Sequence, residues 1–148
     1  MRIIKFRGKT KDKGGPQWSY VQPIKWVYGN LQCPSVDGVG YFMWDKVDGC
    51  SYQVEVDSET IGQFTGLYDK DGKEIYEGDI LVFDYGDVLV FDESNEDFKD
   101  YLEVRFVRGV FAFLWNGNLD DECPINSPTH EWARVVCNIH DNAELLKK

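Results

Sequence analysis

Short runs of β-branched and aromatic residues, separated by turns that contain glycine or proline, recur along the chain. The runs YFMW and SYQVEV predict a hairpin that turns near Asp48-Gly49. The runs EVRFVRG and VFAFLW meet at Gly109 and predict a tight hairpin in the core. Eight or more short strands with glycine-rich turns are typical of an all-β barrel or sandwich. We therefore expect a mainly β fold of short antiparallel strands.

The two ends of the chain complete this pattern. MRIIKFR predicts an opening strand with Ile4 and Phe6 on one face, and WARVVCNI predicts the last strand. DNAELLKK predicts a short C-terminal helix, because Asp141 or Asn142 suits the N-cap, Glu144 suits the first turn, and lysines suit the end.

The length and composition predict one domain with a substantial core. The chain has 148 residues, of which 43% are apolar and 15% aromatic. Two β subdomains, over residues 1–60 and 61–148, are the alternative. No run approaches the roughly 20 apolar residues of a membrane span, and the N-terminal apolar run is too short for a signal peptide. We expect a cytoplasmic protein that does not contact a membrane.

The four cysteines carry little evidence of a metal or catalytic site. Cys33, Cys50, Cys123 and Cys137 occur singly, with no CxxC pair. CNIH (137–140) is half of a zinc pattern, but structural zinc sites usually take ligands from two close pairs. The same segment also offers a thiol nucleophile and a histidine base. We expect reduced, mostly buried thiols and no metal or cofactor.

Charge is distributed unevenly along the sequence. The net charge is −10, yet residues 1–31 hold seven basic residues and one acidic residue. The remainder holds nine basic and 25 acidic residues. Because an acidic body repels phosphate, general binding to nucleic acid is disfavoured.

The segment LYDKDGKEIYEGD (67–79) has some features of a calcium-binding loop. Asp69, Asp71 and Gly72 match its third, fifth and sixth positions. The first and last ligand positions then fall on Leu67 and Gly78, which have no acidic side chain. The flanking residues also predict strands, whereas a calcium-binding loop of this kind joins two helices. The calcium interpretation therefore fails.

A turn explains this segment better. Asp71-Gly72 can supply the two positive φ angles of a type I′ hairpin turn. That register places Asp69 opposite Glu74, an unfavourable pair of like charges. A loop longer than two residues, or a helical turn before Asp79, is the alternative.

The same region carries a resemblance. IGQFTGLYDKDGKEIYEGDILVFD (61–84) closely resembles the core motif of the YopX family of phage and prophage proteins. Three further family blocks occur in order: IKFRGK (4–9), WVYGNL (26–31) and VVCNIHDNAELL (135–146). The last block departs from the family pattern at His140, Asp141 and Ala143, which bears on the geometry between strand and helix.

The resemblance implies a mainly β protein whose C-terminal part is similar to a small SH3-like barrel. It also implies an origin in phages or prophages of Gram-positive bacteria. It implies no biochemical activity that can be assigned to particular residues.

The YEGD step (76–79) is the densest part of the motif. Glu77 and Asp79 resemble an acid–base or metal pair, and with His140 they define a metal-assisted hydrolase as one hypothesis. We favour a structural role, in which Gly78 supplies a special backbone angle and Asp79 accepts hydrogen bonds from nearby backbone N–H groups. No phosphate-binding loop, nucleophile elbow or HExxH motif supports catalysis.

Residues 84–103 are strongly acidic and define a first candidate binding segment. Its C-terminal part, 92–103, is predicted as an acidic flap for a partner protein, with imitation of DNA as one variant. A solvated loop that keeps a β protein soluble is the simpler interpretation. The candidate contact residues are Asp92, Glu93, Glu96, Asp97 and Asp100.

Aromatic residues in the N-terminal half define a second candidate. Trp18, Tyr20, Trp26 and Tyr28 would stack on the bases of a single strand, helped by the basic residues around them. A core of this size also needs such residues inside. Our leading hypothesis is a non-enzymatic adaptor or modulator that binds a host or phage protein, and single-stranded nucleic acid is the rival partner. The sequence leaves the oligomeric state open.

Overall fold

The structure, a computed structural model, describes residues 3–11, 24–32, 41–47, 49–83, 101–119, 122–125 and 132–143. Over these ranges it is mainly β, as predicted, with twelve strands and one 3₁₀ turn as its regular elements. The chain divides into two compact units, Met1–Phe64 and Thr65–Lys148.

The N-terminal unit is built from short antiparallel strands. They are β1 Phe6–Lys9, β2 Trp26–Gly29, β3 Leu31–Gln32, β4 Tyr41–Val47, β5 Cys50–Val56 and the first residues of β6 Gly62–Tyr68, preceded by the 3₁₀ turn Ser58–Thr60. β1 lies between β2 and β6, with Arg7 opposite both Tyr28 and Gly62. β4 pairs with β3 and with β5, and the β4–β5 hairpin predicted around Gly49 is confirmed.

Apolar residues on one face of each strand form the core of this unit. Val27, Met43 and Val56 are buried at its centre. Gly8 lies directly against Val56, because a Cβ at residue 8 would come within 3.0 Å of the Val56 Cβ. The two groups of strands therefore pack closely where β1 meets β5.

The C-terminal unit contains a five-stranded antiparallel sheet in the order β11-β10-β9-β8-β12. The strands of this sheet are β8 Asp79–Phe83, β9 Tyr101–Val107, β10 Val110–Trp115, β11 Glu122–Pro124 and β12 Ala133–Asn138. The short strand β7 Glu74–Tyr76 precedes them and pairs with β6. One face of the sheet buries a core of Ile75, Leu81, Leu102, Val104, Phe113, Ala133 and Val135.

The β9–β10 hairpin predicted at Gly109 is confirmed. Arg108 and Gly109 form its two-residue link, with φ angles of 50° and 88°. Two successive positive φ angles are the signature of a type I′ turn, whose twist matches that of the flanking strands.

Two sequence-based expectations are corrected by the structure. The opening strand begins at Phe6, where pairing with β2 starts, and Ile3 and Ile4 are exposed. The cysteines are not mostly buried within the described residues: Cys50 is exposed, and Cys123 and Cys137 are half-buried, because each lies in a short strand near the surface. The predicted C-terminal helix falls largely outside the described residues.

Candidate functional site

The carboxylate of Asp69 organises the hairpin loop between β6 and β7. Asp69 is 5% exposed. Its Oδ1 accepts hydrogen bonds from the backbone N–H groups of Asp71 and Lys73, both at 2.9 Å. Its Oδ2 accepts the N–H of Val135 at 2.9 Å. One side chain thus fixes the loop and joins it to β12.

The loop is not the two-residue type I′ turn. Gly72 has a φ of 82°, but Asp71 does not have a positive φ. The N–H of Gly72 donates to the Asp69 carbonyl at 2.9 Å, and the N–H of Asp69 donates to the Lys73 carbonyl at 2.8 Å. These bonds match a three-residue hairpin loop that ends in a left-handed glycine. Asp69 therefore faces Lys73, and the repulsion with Glu74 that the shorter loop implied does not arise.

Asp71 makes a different kind of contact. Its Oδ2 lies 2.9 Å from Nε of Arg134 on β12, and about half of each side chain is exposed. Such solvent-exposed pairs contribute roughly 0–1 kcal/mol. Asp69 is thus the carboxylate of this loop that bears on stability.

The YEGD step also serves the fold. Gly78 has a φ of 83°, a conformation that side chains disfavour. Its N–H donates to the Val104 carbonyl at 2.7 Å, and its carbonyl accepts the N–H of Ile139 at 2.9 Å. Asp79 is 1% exposed, and its Oδ2 accepts the N–H of Tyr76 at 2.8 Å.

The two carboxylates of the hydrolase hypothesis accept hydrogen bonds from different backbone N–H groups. Asp79 accepts a bond from Tyr76, whereas Oε1 of Glu77 lies 3.4 Å from the N–H of Phe106, a long hydrogen bond. Nε2 of His140 would lie 3.4 Å from a Cβ on Gly78. Among the described residues, which include all three, no group of His, Cys, Asp and Glu is arranged to hold a metal ion.

An ion pair with a buried carboxylate and a partly exposed arginine lies on β9. Glu103 is 2% exposed, and its Oε1 accepts hydrogen bonds from Nε and Nη2 of Arg105, two residues along the strand. Ile80 and Leu114 stand opposite Glu103 on the neighbouring strands, and both are fully buried. The Glu103 carboxylate therefore binds the guanidinium group of Arg105.

Aromatic and basic residues share one face of the β1–β2 pair. Trp26 stands opposite Lys9, and Tyr28 stands opposite Arg7. Cζ of Arg7 lies 4.9 Å from the centre of the Trp26 ring, and Nζ of Lys9 lies 6.0 Å from it. Tyr28 is 50% exposed, whereas Arg7 is buried. The contacts are cation–π interactions that help to hold the strand pair together.

The motif around Asp69 and Gly78 lies within a region that matches a known protein family. The model of the YopX family, described as "YopX protein", matches residues 18–147. The chain belongs to the YopX family. The IKFRGK block lies ahead of the matched residues. A search of curated proteins finds no match.

One solved structure resembles this YopX-family chain along its whole length. It is the crystal structure of protein EF1440 from Enterococcus faecalis, with 25% sequence identity and a TM-score of 0.53. The likeness covers 99% of this chain and 99% of that chain.

Several predicted site residues of the YopX-family chain fall outside the described residues. They are Trp18, Tyr20, Asp92, Glu93, Glu96, Asp97 and Asp100. Of the predicted stacking residues, Trp26 and Tyr28 are described, and they lie on one face of β2. Among the described residues, no helix is both long and apolar enough to cross a membrane.

The tip of the β9–β10 hairpin is an exposed surface that the sequence did not indicate. Phe106 is 50% exposed and Val110 is 48% exposed. The Phe106 ring meets the Phe111 ring edge-on, with 5.1 Å between centroids. The run EVRFVRG suggested a strand in the core, but these residues lie where the strand reaches the turn. Phe106 lies on the face of Phe111, and Val110 lies on the opposite face with Val107. We call Phe106, Arg108 and Val110, which surround the turn, the tip patch.

Proposed function

We propose that this YopX-family protein acts by binding, as a non-enzymatic adaptor or modulator that contacts a protein of the host cell or of the phage. The observation that carries the proposal is the use of the motif's buried carboxylates. Asp69 accepts three backbone N–H groups and Asp79 accepts one. Groups held in this way stabilise the fold and are poorly placed to exchange protons or ligands with a substrate.

The tip patch supports a protein as the partner. Aromatic residues and arginine dominate the energetics of protein interfaces when they are held rigidly. The type I′ turn at Arg108-Gly109 and the contact of Phe106 with Phe111 fix the patch in place. Its half-exposed apolar side chains would be buried on binding.

The acidic flap 92–103 remains a second contact surface within this proposal. Its acidic residues would suit a partner with a basic face, because complementary charge speeds and orients association. They account for part of the chain's net charge of −10.

We place this binding in the cytoplasm of a bacterial cell that carries the phage or prophage. Cys50, Cys123 and Cys137 are thiols, not members of disulfides. Thiols of this kind are typical of proteins in a reducing compartment.

The experiment is capture of partners by the tagged protein from a lysate of the bacterium that encodes it. Half of the lysate is treated with nuclease, and mass spectrometry identifies the retained proteins. We expect the same protein to be retained in both halves. Recovery that disappears with nuclease would contradict a protein partner.

Variants then locate the contact. Val110→Asp in the tip patch and charge reversal at Asp97 and Asp100 in the acidic flap are compared at equal protein concentration. Loss of capture in one variant but not in the other assigns the surface. Val136→Asp is the matched control, because Val136 is also an exposed valine of the same unit, at 44% exposure, and lies outside both surfaces.

Single-stranded nucleic acid is a second candidate partner, favoured by the β1–β2 face. Residues 3–11 and 24–32 hold five basic residues and no acidic residue. Trp26 and Tyr28 lie on the same face as Lys9, which is partly exposed, whereas Arg7 on this face is buried beside Trp26. Proteins that bind single strands combine such basic tracks with stacking aromatic residues.

Fluorescence anisotropy with a labelled oligothymidine tests this candidate. Binding should weaken steeply as salt rises, since phosphate contacts release counterions. Tyr28→Ala should weaken it further, by roughly 1–3 kcal/mol, the usual contribution of one stacked base. Tyr68→Ala, a comparably exposed tyrosine of the other unit, is the control. No binding at low salt would exclude this candidate.

A further inference from the structure

Strand β12 is an outer strand of the five-stranded sheet, and its outer edge is covered by a loop. β12 pairs with β8 through its inner edge. On the outer side, the N–H of Val135 donates to Asp69 Oδ2 at 2.9 Å. The carbonyl of Ala133 accepts the N–H of Lys70 at 3.1 Å.

These two contacts occupy the positions of a strand ladder. In an antiparallel sheet, alternate residues direct both their N–H and C=O groups to the same side. Ala133 and Val135 are alternate residues, and each has an outward group bonded to residues 69–70. The loop over residues 69–73 therefore occupies the position at which another strand would pair with the outer edge of β12.

The opposite end of the sheet is blocked in a different way. The N–H of Ile125 donates to the Phe111 carbonyl, so the groups of Ile125 face β10 and those of Pro124 face outward. Proline has no N–H to donate to another strand. Proteins blunt sheet edges in such ways because an open edge pairs with other chains.

We propose that the 69–73 loop guards β12 against pairing with β12 of a second copy of this chain. The proposal does not rest on the function proposed above. Two copies of β12 meeting antiparallel about Arg134 would place Ala133 of each opposite Val135 of the other. The Val135 N–H and Ala133 carbonyl now held by the loop would then bond to each other across the two-fold axis.

Arg134 is a second guard in this arrangement. It would face its own copy across the axis, and like charges directly opposite are destabilising. In the monomer Arg134 lies 2.9 Å from Asp71 Oδ2 and is half-exposed. Exposed apolar residues on either side, Trp132 and Val136, would gain burial between the copies.

The test removes both guards with small changes. Asp69→Asn keeps one oxygen for the loop but presents an amide donor to the Val135 N–H, and Arg134→Thr removes the charge. Light scattering with size-exclusion chromatography measures self-association of the double variant D69N/R134T. We expect self-association at least about tenfold tighter than that of the wild type, or a difference of about 1.4 kcal/mol.

A second double variant removes the other loop contact. Lys70→Pro deletes the N–H that donates to Ala133, at a turn position that suits proline, and it is combined with Arg134→Thr. R134T alone is the control and should behave as the wild type, because the loop still covers β12. Far-ultraviolet circular dichroism confirms that each variant is folded. Folded double variants that both associate no more tightly than the wild type would overturn the proposal, as would tighter association in R134T alone.

Discussion

Replacing Asp69 with alanine should destabilise the protein far more than replacing Asp71, two residues away. Asp69 is 5% exposed and accepts three backbone N–H groups. Hydrogen bonds to a charged group contribute roughly 1.5–3 kcal/mol each. In the variant, water can replace the bonds to Asp71 and Lys73, which lie in an exposed loop. It cannot easily replace the bond to Val135, which is 7% exposed.

These terms lead to an expected loss of about 3–5 kcal/mol in the free energy of unfolding for Asp69→Ala. Asp71→Ala removes only a half-exposed ion pair with Arg134, so its loss should be about 0–1 kcal/mol. Both variants remove one carboxylate from the same loop and change the net charge equally. The difference between them therefore isolates the buried hydrogen bonds.

Urea denaturation followed by tryptophan fluorescence measures both variants. The midpoint should fall strongly for Asp69→Ala and barely for Asp71→Ala, with the denaturant slope unchanged in both. A loss below about 1 kcal/mol for Asp69→Ala would refute the structural role of this carboxylate. Equal losses in the two variants would refute it as well.

Five further variants test other parts of the fold by the same denaturation assay. Gly78→Ala and Gly72→Ala should each lose about 1–2 kcal/mol because their φ angles are 83° and 82°; wild-type stability in either would contradict the left-handed backbone. Arg105→Ala should lose about 2–3 kcal/mol in the free energy of unfolding, because it leaves Glu103 buried without its cation. The double change Glu103→Leu/Arg105→Leu should be close to neutral. A larger loss in the double variant than in Arg105→Ala would argue against this account. Tyr76→Phe should lose about 1 kcal/mol with its 2.7 Å bond to Glu74, and no loss would show that water replaces the bond.

Local features of the fold were predictable from the sequence. The alternation of apolar runs and glycine indicated the strands, and Gly109 indicated the β9–β10 hairpin, because both signals lie within a few residues. The turn at Asp71-Gly72 was also visible, but its type was not. That type depends on Asp69, whose carboxylate is held by Val135, a residue distant in sequence.

Long-range contacts decide the features that the sequence did not reveal. The presence of glycine at residue 8 is explained by the close approach of the Val56 side chain, which is distant in sequence. The exposure of Phe106 depends on how far β9 extends beyond its pairing with β8, which the sequence run does not reveal. The family motif is likewise clear as a pattern of letters, but the role of its carboxylates appears only when their hydrogen-bond partners are known.

One comparison tests the central claim that this protein acts by binding and not by chemistry in its motif. Partner capture from nuclease-treated lysate is measured with the wild type, a tip-patch variant (Phe106→Ser/Val110→Asp) and a motif variant (Glu77→Gln/His140→Gln), all confirmed to be folded. We predict that the motif variant captures the same protein in the same amount and that the tip-patch variant loses it. Loss of capture in the motif variant, with full capture by the tip-patch variant, would contradict the account.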